Sequence, residues 1–91
     1  MEAFVNTVTI RYWAAAREAA GLAEESVEAA TLAEALAAIR ERHAERPRFA
    51  PVLDMCSLLV DGDPVGRQNP SEVRLRPGAR VEVLPPFAGG S

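Results

Sequence analysis

Arg80-Val81-Glu82-Val83-Leu84 runs directly into Pro85-Pro86-Phe87-Ala88-Gly89-Gly90-Ser91, and this join decides how the rest of the chain is read. The first five residues alternate apolar with polar and read as a final strand. Two prolines then end the ladder, since proline has no N–H to donate and holds the backbone extended. Beyond them only Phe87 has much to bury. The six residues Pro85 to Gly90 would reach about 20 Å from the body. Chain ends commonly fray, but Pro-Pro stiffens this exit in a way a solubilising tail does not require. Gly-Gly strips away side chains, which suits a terminus threaded through a narrow channel to place its carboxylate beside another protein's catalytic groups.

The beginning of the chain supplies a second regular strand. In residues 4–13, Val8, Ile10 and Tyr12 alternate with Thr7, Thr9, Arg11 and Trp13, a period of two with one face on a core. Ala14 to Ala20 is alanine-rich and reads as one or two helical turns stopped by Gly21. Glu24 to Ala29 is a weaker strand, with Val27 its only large apolar residue, expected to pair with the first. Thr31 and Glu34 then match a capping box. Leu32, Ala35, Leu36, Ile39 and His43 follow on one helical face, and Pro47 closes a helix of about four turns. Arg48 to Met55 reads as a loop or short turn of helix under the sheet. Cys56 to Val60 is a third strand, with Leu58 and Val60 on one face and Leu59 on the other. Asp61-Gly62-Asp63 is a turn signature leading to Pro64-Val65. Gly66 to Ser71 is loop-like, Val73-Arg74-Leu75 briefly extended, and Pro77-Gly78 turns the chain into the last strand.

This order fits neither a doubly wound α/β sheet nor an all-β domain. It fits an α+β roll: a mixed sheet of four or five strands on one main helix, with the first and last strands side by side in the middle. Ninety-one residues suffice for one core. The expected division is a domain over 1–84 and a flexible tail over 85–91. With 48% hydrophobic and 25% charged residues the chain has an ordinary globular composition. A net charge of −3, without a basic stripe interleaved with aromatics, gives no reason to expect nucleic acid. All ten basic residues are Arg, so no lysine is offered for isopeptide attachment. The single Cys56 implies no disulfide. No apolar run reaches membrane-spanning length and no signal peptide is visible, so the cytoplasm is expected, with no membrane partner.

Catalytic equipment is missing from the pattern. There is no nucleophile elbow, no zinc spacing and no glycine-rich phosphate loop. His43 reads as a helix-end residue and Cys56 as a small hydrophobe in an apolar run. No metal site is expected, and a self-sufficient enzyme is not indicated. Parity also marks a surface. Trp13, Leu59 and Leu84 are each out of phase with the core residues of their strands, so neighbouring strands would gather them into an apolar docking patch leading to the tail.

The tail Leu84-Pro85-Pro86-Phe87-Ala88-Gly89-Gly90 carries a resemblance, together with the opening Val8-Thr9-Ile10-Arg11-Tyr12-Trp13-Ala14, Arg17-Glu18, Gly21 and Pro77-Gly78. The chain resembles the MoaD/ThiS family of ubiquitin-like sulfur carriers, and within it the small subunits of molybdopterin synthase. The resemblance implies a ubiquitin-like β-grasp fold and, with no cofactor bound, an E1-like enzyme that uses ATP to adenylate the carboxylate of Gly90, next to Gly89. Sulfur then replaces an oxygen to give a thiocarboxylate. It further implies a hetero-oligomer with a large catalytic subunit that receives the tail, Pro85, Pro86, Phe87 and Ala88, beside the patch that parity forms from Trp13, Leu59 and Leu84. Carriers for cysteine or thiamine biosynthesis, a protein modifier and an inert-tailed interaction module remain alternatives. Ser91 departs from the family's Gly-Gly ending. It is either removed by a protease, or added to the natural end, or the mark of a member that carries no sulfur. The first two rank ahead because the tail before it is intact.

Overall fold

The computed structural model describes residues 6–86. The first strand, β1 (Asn6–Tyr12), buries Val8, Ile10 and Tyr12 on one face and turns Thr7, Thr9 and Arg11 to the other. It ends one residue before the expected Trp13. Phe4 and Val5 lie outside the described residues, and Trp13, still extended at φ −118°, serves as N-cap of α1 (Ala14–Ala20). Gly21 ends α1 as expected. Its φ of 81° is the left-handed conformation glycine adopts freely. A Cβ there would also lie 2.7 Å from Nη2 of Arg46, so the guanidinium occupies the space of the missing side chain.

The chain returns as β2 (Glu24–Ala29), antiparallel to β1, with Asn6 opposite Ala29 and Arg11 opposite Glu24. The main helix, α2 (Leu32–Arg42), buries Leu32, Ala35 and Ile39. Glu34 N–H donates to Thr31 Oγ1 (3.2 Å), while Glu34 Oε1 accepts from Ala30 N–H (2.7 Å). The reciprocal half of the cap thus falls one residue earlier than in a standard capping box; a Thr cap of this kind contributes about 1 kcal/mol. The helix makes three turns over 11 residues and stops at His43, well before Pro47. Its last turn tightens, with Ala44 N–H bonding Glu41 O (3.2 Å), because the His43 side chain is held by Glu25 of β2.

Of the two readings offered for Arg48–Met55, the helical one is found: α3 (Phe49–Asp54) buries Phe49, Val52 and Leu53. Cys56 is half-buried, with Sγ donating to Val52 O (3.1 Å) and burial pushing the thiol pKa up, which keeps it an unreactive neutral group. Next come β3 (Ser57–Val60) and the two-residue β4 (Asp63–Pro64). Asp61 and Gly62 between them both have positive φ, 51° and 87°, the conformation of a tight two-residue hairpin. The loop-like stretch holds a 3-10 turn at Pro70–Glu72 that its polar composition did not announce, capped by Asn69 Oδ1 accepting from Ser71 N–H (3.0 Å). Residues 73–75 then bridge to the start of α2. Leu32 N–H bonds Val73 O and Leu75 N–H bonds Ala30 O, both at 2.9 Å. That bridge satisfies an N–H that a free helix start leaves without a partner.

The last strand, β5 (Arg80–Leu84), lies parallel to β1 and antiparallel to β3, giving the order β2-β1-β5-β3-β4. Val81 and Val83 face the helices with Val8, Ile10 and Tyr12, forming one core. This is the β-grasp arrangement: an α+β domain with first and last strands paired at its centre and the helices on one face. The other face of the sheet is left uncovered among the described residues.

Candidate docking face and C-terminal tail

The uncovered face is built by strand alternation. Tyr12 pairs with Val83, and Trp13 N–H bonds Val83 O (3.1 Å), which brings Trp13 beside Leu84. On the other side of β5, Leu84 is opposite Ser57 and Glu82 opposite Leu59, so Leu59 is the diagonal neighbour of Leu84. Trp13 is 38% exposed, while Leu59 and Leu84 are half-buried. Parity alone therefore placed three sequence-distant residues on one face. Trp13 and Leu84 stand side by side, and Leu59 joins them across a polar gap.

Residues not anticipated fill that gap. Arg11 stacks its guanidinium over Trp13 at 4.6 Å from the ring centroid and pairs with Glu24 (3.1 Å). The stack holds the indole in place by about 0.5–1 kcal/mol. Arg11 Nε is buried without a hydrogen-bond partner among the described residues. Exposed Pro64, opposite Leu59, continues the apolar row to the sheet edge. Arg11 has the same parity as Trp13, so the signal for it was present in the sequence.

The face runs to the tail. Pro85 is buried against the body and Pro86 is exposed, so the packed body reaches one residue past the strand. Phe87, Ala88, Gly89, Gly90 and Ser91, which carry the remaining expected contacts and the reactive carboxylate, lie outside the described residues.

Behind the sheet sits a second polar cluster that sequence reading missed. Glu25 faces inward, its side chain 8% exposed, beside His43 at 9%. Its Oε2 accepts from the Tyr12 hydroxyl and from His43 Nε2 (2.7 Å), and its Oε1 from Arg42 Nη1 (2.9 Å). Arg42 Nη1 also donates to Ser26 O (2.8 Å). Phe49 lies tilted against His43, ring centroids 4.6 Å apart, and meets Tyr12 edge-on. Burial alone would raise the Glu25 pKa, but the hydrogen bonds from Tyr12, His43 and Arg42 outweigh it and hold the carboxyl below its usual range. Burial, then the bond to Glu25, pushes the Tyr12 hydroxyl well above the usual tyrosine range. A buried charge this well paired fixes geometry. With its hydrogen bonds all made inside the fold, it is a strut tying the end of α2 to β1 and β2, rather than a reaction centre.

Among the described residues, no group of three or more His, Cys, Asp or Glu is placed to hold a metal ion, and no helix is long and apolar enough to cross a membrane. The ThiS family model matches residues 10–90, from inside β1 to the second glycine of the tail. The chain belongs to the ThiS family. No curated protein matches it in sequence. Solved structures are similar throughout. A Pyrococcus furiosus protein assigned as molybdopterin converting factor subunit 1 is 25% identical, with a TM-score of 0.71 over 89% of this chain and 98% of its own. A Haloferax volcanii protein is 26% identical, with a TM-score of 0.73 over 99% and 92%. Small archaeal modifier protein 1 from Methanosarcina acetivorans, at 20% identity, shares the fold with a TM-score of 0.78 over 97% and 100%. ThiS family membership makes this chain a ubiquitin-like member of a sulfur-carrier family, with a β-grasp body as its scaffold.

Proposed function

We propose that this ThiS family member carries sulfur on the carboxyl group of Gly90 and donates it as the small subunit of a molybdopterin synthase. The observation that carries the reading is the family match, which extends through Gly89-Gly90 and leaves Ser91 outside it. The similarity to the Pyrococcus furiosus protein supports the molybdopterin branch.

The chemistry begins with the carboxylate. It is a poor electrophile until one oxygen becomes a leaving group. An E1-like partner supplies that by joining Gly90 to the α-phosphate of ATP with release of pyrophosphate. A sulfide equivalent then displaces AMP, and the thiocarboxylate formed stays ionised at neutral pH as a strong nucleophile. A protease first removes Ser91, whose side chain would stand where glycine fits. The carrier's own residues dock and aim. Trp13, Leu84 and Leu59 seat the body on a large catalytic subunit, Pro85-Pro86 set the exit direction, and Phe87-Ala88 lead Gly89-Gly90 into the partner's pocket. Acid–base groups come from that partner.

A second reading is a modifier joined through Gly90 to lysines of other proteins, with which the fold shared with small archaeal modifier protein 1 agrees. Intact mass of the untagged protein from its own cells, read beside its co-purifying partners, separates the two. Loss of Ser91 with one oxygen exchanged for sulfur, together with a large subunit, is the expected result. A full-length chain still bearing an ordinary carboxylate after incubation with the activating enzyme, ATP and a sulfur source would overturn the carrier role. Covalent attachment to many proteins would establish the modifier.

A further inference from the structure

We propose that the free edge of β2 accepts an extended, basic segment of a partner protein as a sixth strand. The register identifies which backbone groups are available. Tyr12 N–H bonds Ala23 O (2.8 Å), so in the β1–β2 pair Ala23, Glu25 and Val27 direct their hydrogen bonds toward β1. By the alternation of an antiparallel ladder, Glu24, Ser26 and Glu28 direct theirs outward. Arg42 confirms the direction, since it reaches across the edge to donate to the Ser26 carbonyl. β2 is the terminal strand of the sheet, and such an edge pairs with another chain unless blocked.

The site has a floor and a charge. A concavity of about 420 Å³ runs along the edge, lined by Ser26, Val27 and Glu28 of β2, Ala38 and Arg42 of α2, and Thr7. An added strand would place alternate side chains over Val27 and the small Ala38, and the others beside Glu24, Ser26 and Glu28. Glu28 is exposed and has no ion-pair partner among the described residues, and Glu24 is shared only with Arg11. The complementary segment is therefore basic, apolar, small, apolar, basic. A second copy of this chain does not fit, because antiparallel pairing centred on Ser26 sets Glu24 against Glu28 on both sides. Arg42 is the gate. It holds one edge carbonyl and must swing aside for the full ladder to form. The edge is also continuous with the docking face, because Arg11 touches both Glu24 and Trp13.

The test is amide chemical-shift titration of the full chain with the peptide acetyl-Arg-Val-Thr-Val-Arg-amide, and it requires neither Gly90 nor its activation, so its outcome is separate from that of the carrier reading. Shifts are expected at Glu24–Glu28, Ala38 and Arg42. Ser26→Pro should fold, since that N–H is outside the β1 ladder, and should weaken binding by at least about tenfold through loss of an edge donor and the open ladder. Arg42→Ala should bind more tightly. Glu28→Arg should prefer the peptide with both arginines replaced by glutamate. Absence of shifts at millimolar peptide, equal binding by Ser26→Pro, shifts confined to Trp13, Leu59 and Leu84, or dimerisation of the free protein would each overturn the proposal.

Discussion

Glu25 accepts hydrogen bonds from three side chains on two other parts of the fold, which couples its protonation to folding. Its folded pKa is depressed, so its contribution is present above the unfolded value near 4.5 and is lost as pH falls through the folded one. Tyr12 has the opposite sign. Its raised pKa gives a contribution that is complete below 10.0 and lost in more alkaline solution. Glu25→Gln is expected to lower stability near neutral pH by about 2 kcal/mol, the scale of a lost charge-assisted bond, with the gap closing in acid. Tyr12→Phe should flatten the alkaline limb. Urea unfolding across pH checks both, and a Glu25→Gln gap independent of pH would count against the network. Glu25 shares the parity of the apolar Val27, so its inward direction was legible in the strand, but its partners were not. The partners of Glu25 lie 13, 17 and 18 residues away, and only the folded register brings them together.

Among the elements, β1 and β5 carry the proposed docking face, and the two faces of each are built differently. Val8, Ile10, Tyr12, Val81 and Val83 hold the core, while Arg11, Trp13, Glu82 and Leu84 face out. Trp13→Asp is therefore expected to leave thermal unfolding nearly unchanged and to weaken binding to the catalytic subunit or the activating enzyme by roughly 30-fold, the typical loss for a central aromatic anchor. Loss of helical circular dichroism in that variant would instead make Trp13 a core residue. These strands were readable because their alternation is local, as was the Thr31–Glu34 start of α2. Its C-terminal end was not, since His43 stops the helix by a tertiary contact that precedes Pro47. The segment 73–75 reads as extended from its own residues, but its place beside the start of α2 was opaque, since bonds to Ala30, Leu32 and the Asn6 side chain fix it. Of the candidate site, the face was legible from parity, the tail past Pro86 lies outside the described residues, and the Arg11 stack on Trp13 depends on two outward neighbours being read as a pair.

At the scale of the whole molecule, the absence of lysine means that an activated Gly90 meets no lysine amine on its own surface or on another copy. Where the protein is conjugated to others, each attachment is expected to add one carrier per acceptor site. Denaturing mass spectrometry of the conjugates checks this, and a ladder of carriers joined to one another would refute it. The central pair has its own consequence. Because β1 and β5 run parallel, the chain enters the sheet at one end and leaves it at the other, separated by the seven-residue length of β1, about 20 Å. The molecule thus has a handle and a working end. A bead or fluorophore fixed at the Asn6 end of β1 stands a strand's length from Leu84, so protein held there leaves the Leu84 end of β5 open to any enzyme passed over it.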